Sequence, residues 1–330
     1  MKVLGIGNAL LDILFRLEDD NALIKIGIQK GAMDLIEERQ MMAIQEKLSG
    51  LSRTEAPGGA ACNTIRAMAR LGAEVGYIGK VGRDANGALY ENALHKAGVT
   101  PHIVHSESAS GCSTVMISPD GERSMATFLG AAATLSAVEI PATVIPGYDY
   151  IYIEGYLISN GELFLPVLQR AKEAGLKIAL DLSNFNIVNA FKPLLSEVIP
   201  QYVDVLFSNE SEAEAYTGVD AEKAVRKIAE QAEIAVVTVG AKGVYMCSHG
   251  ETLHLEAKGK NPVDTTGAGD HFAAGFLYGL TRQAPLVSAA EIGSLLSAKV
   301  IETVGSQIPD GVWPEIMLKV EEIVRPSLKK

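Results

Sequence analysis

Cysteine is scarce in this chain: Cys62, Cys112 and Cys247 are its three thiols in 330 residues. They are too few and too scattered for a disulfide framework or a zinc site, and they read as reduced thiols of a cytoplasmic protein. Positive charge is also short. Lysine and arginine number 29 against 40 aspartates and glutamates, a net charge of −11. Such a surface repels a phosphate backbone and argues against nucleic-acid binding. It leaves room for a small phosphorylated ligand, because local dipoles and loops outweigh net charge over short distances. No apolar run reaches the ~18 residues of a membrane-spanning helix. Asp12 interrupts the apolar N-terminus early, with no small-residue cleavage site after it, so a membrane anchor and a signal peptide are not expected. There is no Walker loop, no metal-ligand spacing among the six histidines, no internal repeat and no low-complexity segment.

What is present is apolar and alternating. Hydrophobic residues make up 48% of the chain, enough for a large core, and the length suggests about two domains at roughly 150 residues each. Continuous apolar runs at Val3–Ile6, Val75–Val81, Tyr150–Ile153, Ile178–Leu182, Val205–Phe207 and Ile234–Val239 predict buried parallel strands. Helix-period stretches fall between them at Ala60–Leu71, Asn86–Ala97, Leu163–Ala174 and Ala221–Gln231. Gly72, Gly98 and Gly175 stand where C-terminal caps belong. Three more helices are expected near Gly269–Leu280, Leu286–Thr303 and Pro314–Val324. The alternation predicts an α/β fold with a mainly parallel central sheet. Around Phe15–Leu35 and His102–Phe128 the rhythm breaks into what read as short antiparallel strands, the second carrying the turn Ser118-Pro119-Asp120-Gly121. Two such inserts would pair into a small sheet over one edge, or stand as separate hairpins.

Five segments carry chemistry. In Asp264-Thr265-Thr266-Gly267-Ala268-Gly269-Asp270, a glycine loop runs into a small-residue helix, whose first amides suit a phosphate. An aspartate there would repel the phosphate unless it takes a proton from an attacking hydroxyl. The other reading is a capped helix with turn glycines. Pro57-Gly58-Gly59 opens a helix that holds Asn63 one turn inside, exposed to ligand or to solvent. Gly5-Ile6-Gly7-Asn8-Ala9-Leu10-Leu11-Asp12 begins like a dinucleotide fingerprint but has Leu10 in place of the third glycine. An aspartate at the carboxyl end of a first strand could instead bind sugar hydroxyls. Asn209-Glu210-Ser211-Glu212 is a strand end with carboxylates for magnesium, or a helix start favoured by its dipole. Thr238-Val239-Gly240-Ala241-Lys242-Gly243 is a strand-to-glycine turn compatible with a nucleotide.

Taken together and in this order, these segments resemble the ribokinase-like carbohydrate kinases, the PfkB family, over essentially the whole chain. Asp264–Leu277 looks like the family's C-terminal signature. Gly58-Gly59 through Asn63, with Gly72 and Gly82, is similar to its N-terminal one, departing at Ile65. The resemblance implies a ribokinase-like three-layer sandwich with a small β-sheet lid. The large domain would take 1–13, 50–100 and 132–330, and the lid inserts 14–49 and 101–131. It implies an ATP-dependent kinase acting on an alcohol, with Asp270 as base and the amides of Gly267, Ala268 and Gly269 as anion hole. Asn8, Asp12, Gly58, Gly59, Asn63 and the lid's Arg123 would bind the acceptor. Asn209, Glu212, Thr238, Gly240 and Gly243 would bind the nucleotide, with Glu212 near Mg2+ through water. Asp264 and Thr266 resemble a monovalent-cation (K+) site, and a homodimer through the lid is a further implication. The segments around Asp12, Asn63, Asp181 and Asn209 look like those of the adenosine-kinase branch. Rings expected around adenine are replaced by Leu157 and Asn186, with Tyr156 and Phe185 beside them, which keeps a sugar acceptor open. An oxidoreductase using the Gly5–Gly7 turn would leave the Gly267–Asp270 loop unexplained.

Overall fold

The computed structural model describes residues 1–257 and 262–324. Its strands are β1 (Val3–Ile6), β2 (Leu10–Arg16), β3 (Met33–Leu35), β4 (Arg53–Gly58), β5 (Val75–Gly82), β6 (Thr100–Ser106), β7 (Gly111–Ile117), β8 (Arg123–Phe128), β9 (Tyr150–Glu154), β10 (Lys177–Asp181), β11 (Val205–Asn209), β12 (Ile234–Thr238), β13 (Val244–Ser248) and β14 (Glu251–Leu255). Its α-helices are α1 (Asn21–Ile26), α2 (Glu38–Lys47), α3 (Ala60–Arg70), α4 (Ala85–Lys96), α5 (Phe164–Glu173), α6 (Phe185–Tyr202), α7 (Glu210–Thr217), α8 (Ala221–Ala229), α9 (Ala268–Thr281), α10 (Leu286–Val300) and α11 (Trp313–Val324).

The large sheet has the order β14-β13-β12-β11-β10-β9-β1-β5-β6, and a second sheet has β3-β8-β7-β2-β4. All pairs from β12 to β6 are parallel, while β13 and β14 add an antiparallel edge through a two-residue turn. His249 and Gly250 both take positive φ there, as such hairpins require. Alternation along each strand divides the core in two. Leu4, Ile6, Ile151, Ile153, Ile178 and Leu180 face α5, α6 and α8. Val3, Tyr152, Ala179, Val205 and Phe207 face α3, α9 and α10. Both faces are covered, and this is why the strands read as unbroken apolar runs. The result is the expected three-layer α/β sandwich.

Four expectations change. Leu10–Arg16 and Arg53–Gly58 belong to the second sheet, pairing Leu10 with Gly58 and Asp12 with Ala56. Asp12 is therefore not at the end of the first strand. The chain leaves β1 at Ile6, turns, and enters the other sheet at Leu10. Thr100–Ser106 lies in the large sheet, parallel to β5, rather than in an insert. The first insert is not a run of antiparallel strands. It contains α1 and α2, and its one short strand, β3, runs parallel to β8. Because β1 is followed by a strand and not a helix, the dinucleotide fingerprint also lacks its structural setting. Helix α6 was not expected, since Pro193 and Pro200 stand inside it; it survives with a break at Phe191.

Helices α9 and α10 cross almost backbone to backbone. A Cβ on Gly275 would stand 2.7 Å from the Cα of Gly293, and one on Gly279 would stand 2.6 Å from the Cα of Ala289. Backbone cannot yield as a side-chain tip can. Gly275→Val should therefore lower stability by about 1–3 kcal/mol, the range for overpacked cores, seen as a lower urea midpoint at unchanged slope.

Candidate active site

Four neighbouring parallel strands deliver their last residues to one cavity: Glu154 and Asp181 close β9 and β10 side by side, and Asn209 and Thr238 close β11 and β12 two residues further along. Ligands of open α/β sheets sit beyond the carboxyl ends of strands. A cavity of about 900 Å3 lies there, between these ends, the start of α9 and the second sheet. Its lining includes five acids: Asp12, Glu154, Asp181, Glu212 and Asp270.

Gly267 adopts φ 76° and turns the chain into α9, whose first-turn amides lack intrahelical partners by construction. The Ala268 amide already donates to the Thr265 carbonyl at 3.2 Å, while Gly269 is exposed to the cavity. Asp270 accepts from Asn63 Nδ2 at 2.9 Å, and Thr64 Oγ1 donates to the Asp270 carbonyl at 3.1 Å. The first turns of α3 and α9 are thereby tied together. Burial pushes the Asp270 carboxyl up to about 8; the Asn63 bond opposes this, and the Asp181, Glu154 and Asp12 carboxylates add to it.

Asp12 lies on β2 against Gly58, where any Cβ would collide with its carboxylate. Burial raises it to about 7 against the pull of Arg123 and Arg66. Gly59 holds φ 93° with the Asn8 carbonyl beside it. Asn8 lines the cavity, but both its amide N–H and its Nδ2 donate to Glu154 Oε1, at 2.7 and 2.8 Å. Glu154, 1% exposed, also accepts from the Ala61 amide at 3.0 Å. This carboxylate pins the Asn8 turn and the start of α3 to the end of β9. Sequence reading passed over it, and its only signal was an acid closing an apolar run.

Asn209 and Glu212 form a full capping box on α7. Asn209 Nδ2 donates to Glu212 Oε1 at 2.7 Å, the Asn209 amide to Oε2 at 2.8 Å, and the Glu212 amide to Asn209 Oδ1 at 3.0 Å. The helix-start reading of this motif holds, and the capped pair also lines the cavity. Glu212 is 4% exposed and raised to about 8 by burial and then by Asp181. Thr238 lines the cavity as well. Gly240 and Gly243 do not; they shape the turn into β13, and Gly243 at φ 103° packs against the Leu255 carbonyl. Leu157 and Asn186 line the cavity together with Tyr156.

Arg123, 11% exposed, reaches from β8 to Asp264 Oδ2 at 2.6 Å and to Thr266 Oγ1 at 3.2 Å. Asp264 also accepts from the Thr266 amide at 2.9 Å and the Gly305 amide at 2.7 Å. The guanidinium and these two amides occupy the carboxylate, so the residues as arranged do not fit the expected monovalent cation. Magnesium fares differently. Among the described residues, no three acids or histidines converge as a metal cage. The crowded carboxylates suit a cation that arrives with phosphates and takes one or two protein oxygens, as Mg2+ does. Glu212 and Asp181 are the residues that would hold it.

A glycine-turned helix start with an aspartate in its first turn, above the carboxyl ends of a parallel sheet, fits a phosphotransferase that acts on an alcohol. The sequence matches the pfkB family carbohydrate kinase description over residues 22–311, and the chain belongs to that family. It is 30% identical to an adenosine kinase of Saccharomyces cerevisiae, over 92% of this chain and 96% of that protein. It is 30% identical to a ribokinase of Haemophilus influenzae, over 79% of this chain and 86% of that protein. Among solved structures, the adenosine kinase from Sinorhizobium meliloti superposes with a TM-score of 0.85 at 31% identity, covering 97% of this chain and 98% of that one. The family implies ATP as co-substrate. No helix among the described residues is long and apolar enough to cross a membrane.

The raised Asp270 carboxyl has a stability consequence. In the unfolded chain it releases its proton near 3.8, and in the folded chain near 8. Its folded-state advantage is complete below the lower value and is lost as pH rises to the upper one. Asp270→Asn should melt with wild type near pH 4 and increasingly above it toward pH 8, with a constant gap beyond. A melting gap independent of pH would assign Asp270 an ordinary exposed carboxyl.

Proposed function

We propose that this chain transfers the γ-phosphoryl group of ATP to the 5′-hydroxyl of adenosine. The observation that carries the reading is the Asn63–Asp270 contact at the start of α9, inside a cavity that also holds Asp12. Asn63 orients the Asp270 carboxylate, which accepts the proton of the attacking hydroxyl. The amides of Gly267 and Gly269 face the transferring phosphoryl oxygens; Ala268 joins them only when it leaves Thr265. Asp12, with Gly58 and Gly59 allowing close approach, binds the ribose hydroxyls. Asn209, Glu212 and Thr238 bound the nucleotide, and Glu212 with Asp181 would hold Mg2+, which would supply charge for the phosphates. Arg123 leaves Asp264 to neutralise charge on the phosphates. Phosphoryl transfer asks the protein chiefly for such positioning and charge.

Adenosine is favoured over a free sugar by the room and by the wall. Leu10, Leu35, Leu129, Leu157 and Ile187 line the cavity's acceptor side, an apolar surface that suits a base and not a bare pentose. The similarity to adenosine kinases supports the same reading. A sugar acceptor is the second reading, supported by the ribokinase similarity and by Asn186 among the lining residues.

Coupled ADP-release assays across nucleosides and free sugars decide between them. Adenosine should give the highest kcat/KM, and any free sugar exceeding every nucleoside overturns the assignment. In the same assay, Asp270→Asn should lower kcat at least about 100-fold, the lower bound of general-base contributions, with acceptor binding retained in calorimetry. Near-normal kcat would remove Asp270 as the base.

A further inference from the structure

A histidine follows Asp270 directly in the first turn of α9, and it is buried at 3% exposed. Two of its nitrogens meet one acceptor. The His271 amide and the ring Nδ1 each stand 2.9 Å from the Gly267 carbonyl oxygen. A carbonyl cannot donate, so Nδ1 carries the ring proton and Nε2 is left without one. Burial pulls the ring down to about 4; the Gly267 carbonyl opposes this, and Arg66 adds to it. Near pH 7 the ring is therefore neutral and held in one tautomer.

The backbone bond is what any helix start provides, since the N-cap carbonyl accepts the first intrahelical bond. What the ring adds follows from the glycine. Gly267 takes φ 76° to turn the chain into α9, and the freedom that permits this also leaves its peptide free to rotate. That peptide is planar, with the Gly267 oxygen on one edge and the Ala268 N–H on the other. Two donors on the oxygen therefore fix the direction of the amide, which donates to the Thr265 carbonyl. Ser306 stands beside the ring against the same turn: a Cβ on Gly267 would lie 3.1 Å from the Ser306 Cβ and 3.5 Å from His271 Nδ1. His271 is not among the described residues that line the active-site cavity, so it acts through the turn. We propose that His271 is a positioning residue: its Nδ1–H locks the Gly267–Ala268 peptide and so holds the Gly267 and Gly269 amides at the spacing that the transferring phosphoryl group meets.

The inference rests on the anion-hole reading of Gly267 and Gly269 and is independent of which acceptor the enzyme uses. Two variants of the full chain separate positioning from packing. His271→Asn keeps an N–H donor near the place of Nδ1 but gives up part of the ring's volume. His271→Leu keeps much of that volume without a donor. In the coupled assay with the best acceptor, His271→Leu should lower kcat about 10–100-fold, the scale on which small misplacements act, at unchanged acceptor KM. His271→Asn should return kcat to within about threefold of wild type while melting below His271→Leu. Activity then runs opposite to stability, which a packing role does not produce. Near-normal kcat in His271→Leu, or His271→Asn no better than His271→Leu, overturns the inference. Should one variant fold poorly, the wild-type ring is read directly by 15N NMR of labelled histidine at pH 7, its signal assigned from the variant that folds. A neutral ring protonated at Nδ1 supports the lock, and a charged ring or one protonated at Nε2 overturns it. Asp270→Asn keeps two failures apart. If it is as active as wild type, the base assignment falls; if it is impaired and His271→Leu is not, only the role of His271 falls.

Discussion

Carboxylate crowding is the constraint around which this molecule is arranged. The ends of β9 and β10 bring Glu154 and Asp181 together, the first turns of α7 and α9 add Glu212 and Asp270, and all four meet Asp12 of β2 in one cavity. Four of them are kept in place by donors rather than by a counter-charge: amides and Asn8 for Glu154, Asn63 for Asp270, Asn209 for Glu212, and the Ser183 amide at 2.6 Å for Asp181; Asp12 instead feels the charges of Arg123 and Arg66. Burial raises all five above their ordinary values. An assembly of that kind is poised to accept cations and protons, as the proposed phosphoryl transfer requires.

The layered fold was legible because its cause is local. Strands buried on both faces must be apolar throughout, and helices between them must carry one apolar stripe, so β1, β5, β9, β10, β11 and β12 stood out within a residue or two. The second sheet was less legible. Its strands come from four separated stretches, and β2 and β4 adjoin segments that belong to the large sheet or to α3. Nothing in Leu10–Arg16 says that its partners are Arg53–Gly58 on one side and Gly111–Ile117 on the other. The antiparallel edge at β13 and β14 did carry a signal, a His-Gly turn between alternating runs, and it went unread.

At the site, residues whose roles follow from backbone geometry were easiest to find. Gly267 and Asp270 announce a helix start, and Gly58 and Gly59 announce close approach. Glu154 was invisible because its importance lies in accepting from two distant segments, Asn8 and Ala61, which only the folded chain brings together. Arg123 was found but its partner was not: an ion pair between residues 123 and 264 leaves no trace in local pattern.

The second sheet reads as a cover, yet its edge strand β4 and the neighbouring β2 are continuous with the segments that would grip the acceptor. Asn8 runs directly into β2, which carries Asp12, and β4 runs directly into Gly58, Gly59 and α3. Sheet and grip are therefore one lever, and no joint separates them. In evolutionary terms, a lineage changing its acceptor cannot do so by altering the grip alone. Each substitution there also loads the strands that continue from it, so the grip and the sheet must drift together.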